Sequence, residues 1–123
     1  MRKLPFSTWL ALSWFITVTI LLCLPGSSFP KENWFDKIEL DKWIHIGLFG
    51  IMVILWCRAV AIEGKKIRLF IHIALYCFLY GIVMELIQKY FIPNRSFDIG
   101  DILADGAGSA LGLLLAARVY IKK

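Results

Sequence analysis

The chain has 123 residues, of which 59% are hydrophobic, and its mean hydropathy is +0.71, which excludes an ordinary soluble domain. The formal net charge is +5. Its basic residues border apolar segments instead of forming one basic patch, and this distribution excludes nucleic acid as a partner. The sequence contains no internal repeat, low-complexity run or long linker. A single membrane domain over residues 1–123 is therefore predicted.

Apolar segments predict four membrane-spanning helices. Residues 4–30 carry no charge, and three further apolar segments follow. About 20 apolar residues suffice for a helix to cross the hydrocarbon core. A cleaved signal peptide is the alternative for the first segment, but its uncharged run is long for such a peptide. The predicted fold is an all-α, integral membrane four-helix bundle with spans at residues 4–24, 43–62, 68–88 and 99–117.

The distribution of basic residues predicts the orientation of the bundle. Nine basic residues precede the first span, surround the second loop or follow the last span: Arg2, Lys3, Arg58, Lys65, Lys66, Arg68, Arg118, Lys122 and Lys123. The first and third loops hold five: Lys31, Lys37, Lys42, Lys89 and Arg95. Because cytoplasmic loops carry the basic excess, both termini are predicted to be cytoplasmic (N-in/C-in), with loops 25–42 and 89–97 external.

The three cysteines do not have the spacing of a metal site or a disulfide framework. Cys23, Cys57 and Cys77 lie within or at the ends of predicted spans, without a C-x-x-C motif. Free thiols that act as small apolar residues are predicted. The histidine and carboxylate spacings also match no specific metal site, so no metal ligand and no cofactor are predicted.

The second span begins with polar residues. Asp41 suits a helix N-cap, and Lys42 suits an anchor whose charge reaches the membrane surface. His45 lies one turn further into the span, where two interpretations remain open: a hydrogen bond between helices, or a functional group. The third span ends with Gly81, Glu85 and Gln88 on one face, and Glu85 is expected to be partly buried near the external surface.

The fourth span carries a stripe of carboxylates and glycines. Asp98, Asp101, Asp105, Gly108 and Gly112 follow steps of three and four residues, which places them on one side of a helix. Asp98 and Asp101 suit the positive end of the helix dipole. Asp105, about two turns inside, is not explained in this way. Gly108 and Gly112 form a small-x-x-x-small pair, which predicts a helix-packing face.

The predicted N-in/C-in topology places the polar residues of three spans at the external end of the bundle. The predicted ligand-binding residues are Lys42, His45, Glu85, Gln88, Arg95, Asp98, Asp101 and Asp105. Among them, His45, Glu85 and Asp101 are candidates for acid/base catalysis. Arg95 is expected to pair with Asp101. The alternative is a purely structural ion network that closes the bundle.

Three motifs carry a resemblance to a known family: DKWIHIGLFG at 41–50, G-x-x-x-E-x-x-Q at 81–88 and PNRSFDIGDILAD-x-x-G-x-x-x-G at 93–112. In these motifs the chain resembles the VanZ-like family. It departs from the family pattern at Asp105, where the family usually has Asn. The resemblance implies a four-helix, multi-pass protein of the bacterial plasma membrane. The member that gives the family its name is associated with low-level resistance to teicoplanin, a glycopeptide that carries a lipid chain.

Two classes of function follow from these observations. The favoured hypothesis is a non-enzymatic envelope protein with membrane lipids as partners. The polar residues at the external end of its bundle would recognise a lipid headgroup, a lipid-linked cell-wall precursor or a lipoglycopeptide. The alternative is an intramembrane hydrolase or transferase that acts on a lipid-linked envelope substrate. The sequence contains no serine-nucleophile motif, no H-E-x-x-H and no P-loop. It leaves the oligomeric state open, a homo-oligomer included.

Overall fold

A computed structural model of the protein describes residues 6–23, 40–61, 67–92 and 99–121. These ranges form four helices and contain no strand: α1 (Phe6–Leu22), α2 (Leu40–Ala61), α3 (Ile67–Phe91) and α4 (Ile99–Tyr120). The predicted all-α class is therefore confirmed. The N-in/C-in orientation stays a prediction, and most of the predicted external loop 25–42 lies outside the described residues.

Three of the helices are long and apolar enough to cross a membrane, namely Lys42–Val60 within α2, all of α3 and all of α4. Helix α1 is apolar but has 17 residues, which corresponds to about 26 Å. Residues 4, 5 and 24 of the predicted first span lie outside the described part of the chain. Helices α3 and α4 continue three residues beyond the predicted ends at 88 and 117, because a helix can continue through the membrane interface where charged and aromatic residues are common.

Helix α2 lies at the centre of the bundle. Its contact with α4 is the most extensive, while α3 packs on α4 and α2. Helix α1 packs mainly on α2 and touches α3 over a small area. The indole Nε1–H of Trp14 donates to the carbonyl oxygen of Leu48 at 3.0 Å, which ties α1 to α2. The bundle is thus a three-helix core with α1 at its side.

Buried apolar side chains fill the bundle beneath its polar end. Phe49, Met52 and Phe70 belong to this core and are almost completely excluded from solvent. All three cysteines are free thiols, as predicted, and Cys57 and Cys77 lie within the core. These two thiols act as small apolar side chains that fill space between helices.

Glycines allow the backbones of α2 and α4 to touch. A Cβ added to Gly108 would lie 2.4 Å from the carbonyl oxygen of Ile46, and one added to Gly112 would lie 2.5 Å from that of Gly50. Real Cβ atoms do not approach backbone oxygens so closely. Both glycines therefore lie in direct contact with α2, where small residues let helices approach in a membrane.

The substitution Gly108→Ala is expected to destabilise the bundle by about 1–3 kcal/mol, because its methyl group must push α4 away from α2. Gly47→Ala is the matched control, since a Cβ at that position meets nothing within 4 Å. There the better helix propensity of Ala should leave stability unchanged or slightly higher. Thermal unfolding in detergent measures both variants. Equal melting temperatures would contradict the close α2–α4 contact.

Candidate functional site

A buried histidine–aspartate pair joins α2 to α4. The Nδ1–H of His45 donates to Oδ1 of Asp105 at 2.7 Å. His45 exposes 6% of its surface and Asp105 exposes 1%. Polar or charged side chains at membrane depth are costly unless they have partners. Each residue supplies the partner that the other needs, and the bond fixes the orientation of the imidazole ring.

Two glycines create the space in which this pair forms. Gly108 follows Asp105 by three residues, and its contact with the Ile46 carbonyl brings the short aspartate side chain within reach of His45. On α3, a Cβ at Gly81 would lie 2.7 Å from Oδ2 of Asp105. Gly81 therefore leaves room for the carboxylate. Its role was not predicted, although its place in the 81–88 motif, one turn before Glu85, was the available signal.

Asp101 and Lys42 lie at the more accessible side of the pair. Lys42 Nζ is 3.7 Å from Asp101 Oδ1, and Asp101 Oδ2 is 3.9 Å from His45 Nε2. The exposed fraction of the side chain falls from 26% for Lys42 and 13% for Asp101 to 8% for His45 and 2% for Asp105. This gradient defines an outer entrance and an inner, almost closed pair.

Glu85 completes what is here termed the polar cluster, which consists of Lys42, His45, Glu85, Asp101 and Asp105. Glu85 exposes 1% of its surface, so the expected partial burial is wrong. The reason is that its face of α3 packs closely on α4, since a Cβ at Gly81, one turn earlier, would lie 2.7 Å from Oδ2 of Asp105. It lies close enough to His45 for their charges to interact. The cluster thus brings three carboxylates from α3 and α4 close to a histidine and a lysine from α2.

An aromatic side chain closes the inner side of the polar cluster. The rings of His45 and Phe49 are stacked, with an interplanar angle of 2° and centroids 6.4 Å apart. Phe49 is completely buried and also contacts the ring of Tyr80, at a centroid distance of 6.1 Å. This aromatic wall was not predicted. The spacing of four residues between His45 and Phe49 on one helix was the signal for it.

Gln88 holds α1 to α3. Its Nε2 donates to the carbonyl oxygen of Leu22 at 2.7 Å, and the side chain is 1% exposed. The last carbonyls of a helix have no partner within that helix, and in lipid they need one from elsewhere. Gln88 supplies this partner at the end of α1. Its predicted role in ligand binding stays a prediction.

The substitution Gln88→Leu is expected to lower stability by about 1 kcal/mol, because it removes a hydrogen bond between helices. It should also speed maleimide labelling of Cys23, which directly follows α1, since the end of that helix is released from α3. Thr17→Val is the control, because the Thr17 hydroxyl donates only within α1, to the Ser13 carbonyl oxygen. Labelling of Cys23 that is equally slow in both variants would disprove the tether.

Two predicted site residues, Arg95 and Asp98, lie outside the described residues. The pairing of Arg95 with Asp101 therefore stays a prediction. The described residues that lie beside Asp101 are Lys42 and His45. Within the described ranges, no group of three or more His, Cys, Asp or Glu side chains has the geometry to hold a metal ion.

The arrangement permits two kinds of chemistry. Partly accessible charges of both signs at Lys42 and Asp101 suit the binding of a polar group that offers hydrogen-bond donors and acceptors. His45 has Nδ1 fixed by a carboxylate, while its Nε2 lies 3.9 Å from Asp101 Oδ2, beyond hydrogen-bonding distance. An imidazole oriented in this way is also the usual arrangement of a general acid or base.

Comparison with known proteins identifies one family. The family model described as VanZ/LLP1 matches residues 3–120, which is nearly the whole chain. The match includes all three motifs on which the sequence resemblance was based, so that resemblance is confirmed. No curated protein and no solved structure matches the chain.

Proposed function

The chain belongs to the VanZ/LLP1 family, and from that premise we propose that it is a multi-pass protein of the bacterial plasma membrane that recognises an amphipathic envelope molecule. The polar cluster binds the polar part of this molecule. Three candidates share the required chemistry: a lipid headgroup, a lipid-linked cell-wall precursor and a lipoglycopeptide of the teicoplanin type. The basic residues in the sequence favour an orientation in which the cluster faces the outside of the cell.

The observation that carries this proposal is the exposure gradient across the cluster. Lys42 and Asp101 are partly accessible and lie 3.7 Å apart, a distance longer than a good charge-assisted hydrogen bond. A ligand group that approaches from the accessible side can therefore contact both residues, with an acceptor towards Lys42 and a donor towards the carboxylate of Asp101. Behind them, the buried His45–Asp105 pair is held in one orientation by its hydrogen bond. Because these side chains are already ordered before a ligand binds, the entropic cost of binding is lower.

The surroundings of the cluster favour an amphipathic ligand. Trp43, beside Lys42, is 66% exposed, and Tyr90 and Phe91 at the corresponding end of α3 are 68% and 78% exposed. Lys89 lies over the ring of Tyr90, 5.1 Å from its centroid. Aromatic and basic side chains of this kind mark the membrane interface. A molecule that reaches the cluster along this surface needs a polar head and an apolar part.

The experiment compares cells with and without the gene, tested against teicoplanin and against vancomycin, which lacks the lipid chain. The expected result is lower sensitivity to teicoplanin alone, and loss of that protection with Asp101→Asn at normal protein level. Thr17→Val serves as the control. If cells with and without the gene are equally sensitive to both antibiotics, a lipoglycopeptide is excluded as the ligand. Lipid recognition is then tested by mass spectrometry of the gently purified protein, where failure to retain any specific envelope lipid would contradict it.

A second candidate function is an intramembrane hydrolase or transferase that acts on a lipid-linked substrate. The observation in its favour is the orientation of His45, with Nδ1 held by Asp105 and Nε2 on the side of the entrance residue Asp101. Nε2 would accept a proton from water or from a substrate hydroxyl, and the carboxylate of Asp105 would stabilise the resulting imidazolium.

A further inference from the structure

The other half of the bundle contains an apolar cavity of about 420 Å³ between α1, α2 and α3. Its lining includes Met52 and Trp56 of α2, Phe15 of α1 and Ile73 of α3. Its volume lies within the range of about 300–1,000 Å³ that is typical of small-molecule sites. Since Met52 follows His45 by seven residues, the cavity begins about 10 Å along α2 from the polar cluster.

The cavity is separate from the polar cluster. The fully buried ring of Phe49 lies between His45 and Tyr80, which lines the cavity. At the same level, the hydroxyl groups of Thr19 and Tyr80 share a hydrogen bond that joins α1 to α3. The rings of Phe15 and Tyr80 also touch, with centroids 4.9 Å apart. These contacts close one end of the cavity and satisfy the Tyr80 hydroxyl within the protein.

The cavity is continuous with the surface that the membrane covers. Tyr76 lines the cavity and is 69% exposed, so it lies at an open rim. Leu75 and Leu79 of the same helix, which is long and apolar enough to cross a membrane, are also more than half exposed. An empty apolar cavity forfeits dispersion contacts, and water does not enter it favourably. Hydrocarbon from the bilayer is the occupant that matches both the lining and the surroundings.

We propose that this cavity binds one acyl chain of a membrane phospholipid. The chain enters from the leaflet at the C-terminal end of α2, where Val60 lines the cavity, and ends at the closed side formed by Phe15 and Tyr80. The bound chain fills the gap left by the small α1–α3 contact and holds α1 against the bundle. This lipid site lies in the opposite half of the bundle from the proposed recognition site and does not depend on it.

The first test follows the quenching of tryptophan fluorescence after the protein is mixed with vesicles of phosphatidylglycerol brominated on its acyl chains. The Trp56 signal is the difference between wild type and Trp56→Phe. Trp9, 56% exposed on α1, gives the corresponding signal for ordinary lipid contact through Trp9→Phe. The expected result is immediate quenching of Trp9 and delayed quenching of Trp56, as the bound chain exchanges. Equal rates, or no quenching of Trp56, would overturn the proposal.

The second test fills the cavity. Ile73→Trp adds a large side chain to the cavity wall, while Leu75→Trp adds the same side chain two residues away on the exposed face. Native mass spectrometry after purification with dioleoyl phosphatidylglycerol should find about tenfold less retained lipid on Ile73→Trp than on wild type. Leu75→Trp should retain as much as wild type. Equal retention by all three proteins would overturn the proposal. The tryptophan-to-phenylalanine variants decide the matter if Ile73→Trp does not fold.

Discussion

Asp105→Ala is expected to lower the free energy of unfolding by about 3 kcal/mol, because it leaves a buried histidine without its partner. Asp105 accepts the Nδ1–H of His45 at 2.7 Å, and both side chains are almost completely buried. In the hydrocarbon region, water does not readily replace the lost acceptor. Chemical denaturation in mixed micelles, or thermal unfolding in detergent, measures the effect.

Three comparisons separate the loss of the pair from the loss of a charge. Asp105→Asn keeps an oxygen acceptor for Nδ1–H and should retain most of the stability. Asp101→Ala should cost less than Asp105→Ala, because Asp101 is more accessible and its contact with Lys42 is longer. The cost of Asp105→Ala should also shrink in a His45→Ala background. If Asp105→Ala lowers stability equally in the His45→Ala background, the His45–Asp105 hydrogen bond is not the cause of the loss.

His45→Asn is expected to lower the activity by at least about tenfold while leaving the protein folded. The asparagine amide can still donate to Asp105, but the titratable ring is gone. If the cluster recognises a polar group, activity should fall about tenfold, as for one lost hydrogen bond to a charged group. If His45 transfers protons, the rate should fall about 100-fold or more. Protection against teicoplanin, or turnover of a lipid-linked substrate, is measured together with melting temperature.

The comparison variants Glu85→Gln and Asp101→Asn conserve shape and remove charge. If the cluster only closes the bundle, their stability and activity should fall in proportion. If it binds or converts a ligand, at least one of them should lose activity at a nearly normal melting temperature. Gln88→Leu provides the structural reference, since its hydrogen bond joins α1 to α3. A fully active and stable His45→Asn protein would exclude both acid/base catalysis and a ligand contact of His45, and would leave recognition by the other cluster residues or a structural role.

The sequence by itself determined the helical class, the approximate positions of the helices and the family. Apolar length is a local property, and in lipid a helix satisfies its own backbone, so the helices follow directly from composition. The three-and-four spacing of Asp101, Asp105, Gly108 and Gly112 determined one face of α4 before any contact was known. Three motifs between 41 and 112 were sufficient for the family resemblance.

Only the tertiary structure decided which polar groups meet. A hydrogen bond of 2.7 Å between His45 and Asp105 depends on the separation and rotation of α2 and α4, which the contact of Gly108 with Ile46 sets. The same dependence explains why the complete burial of Glu85 was missed. The bond from Gln88 to the end of α1 was missed for this reason as well. Periodicity gives the face of a helix on which a side chain lies, but the neighbour that it meets is set by how whole helices pack.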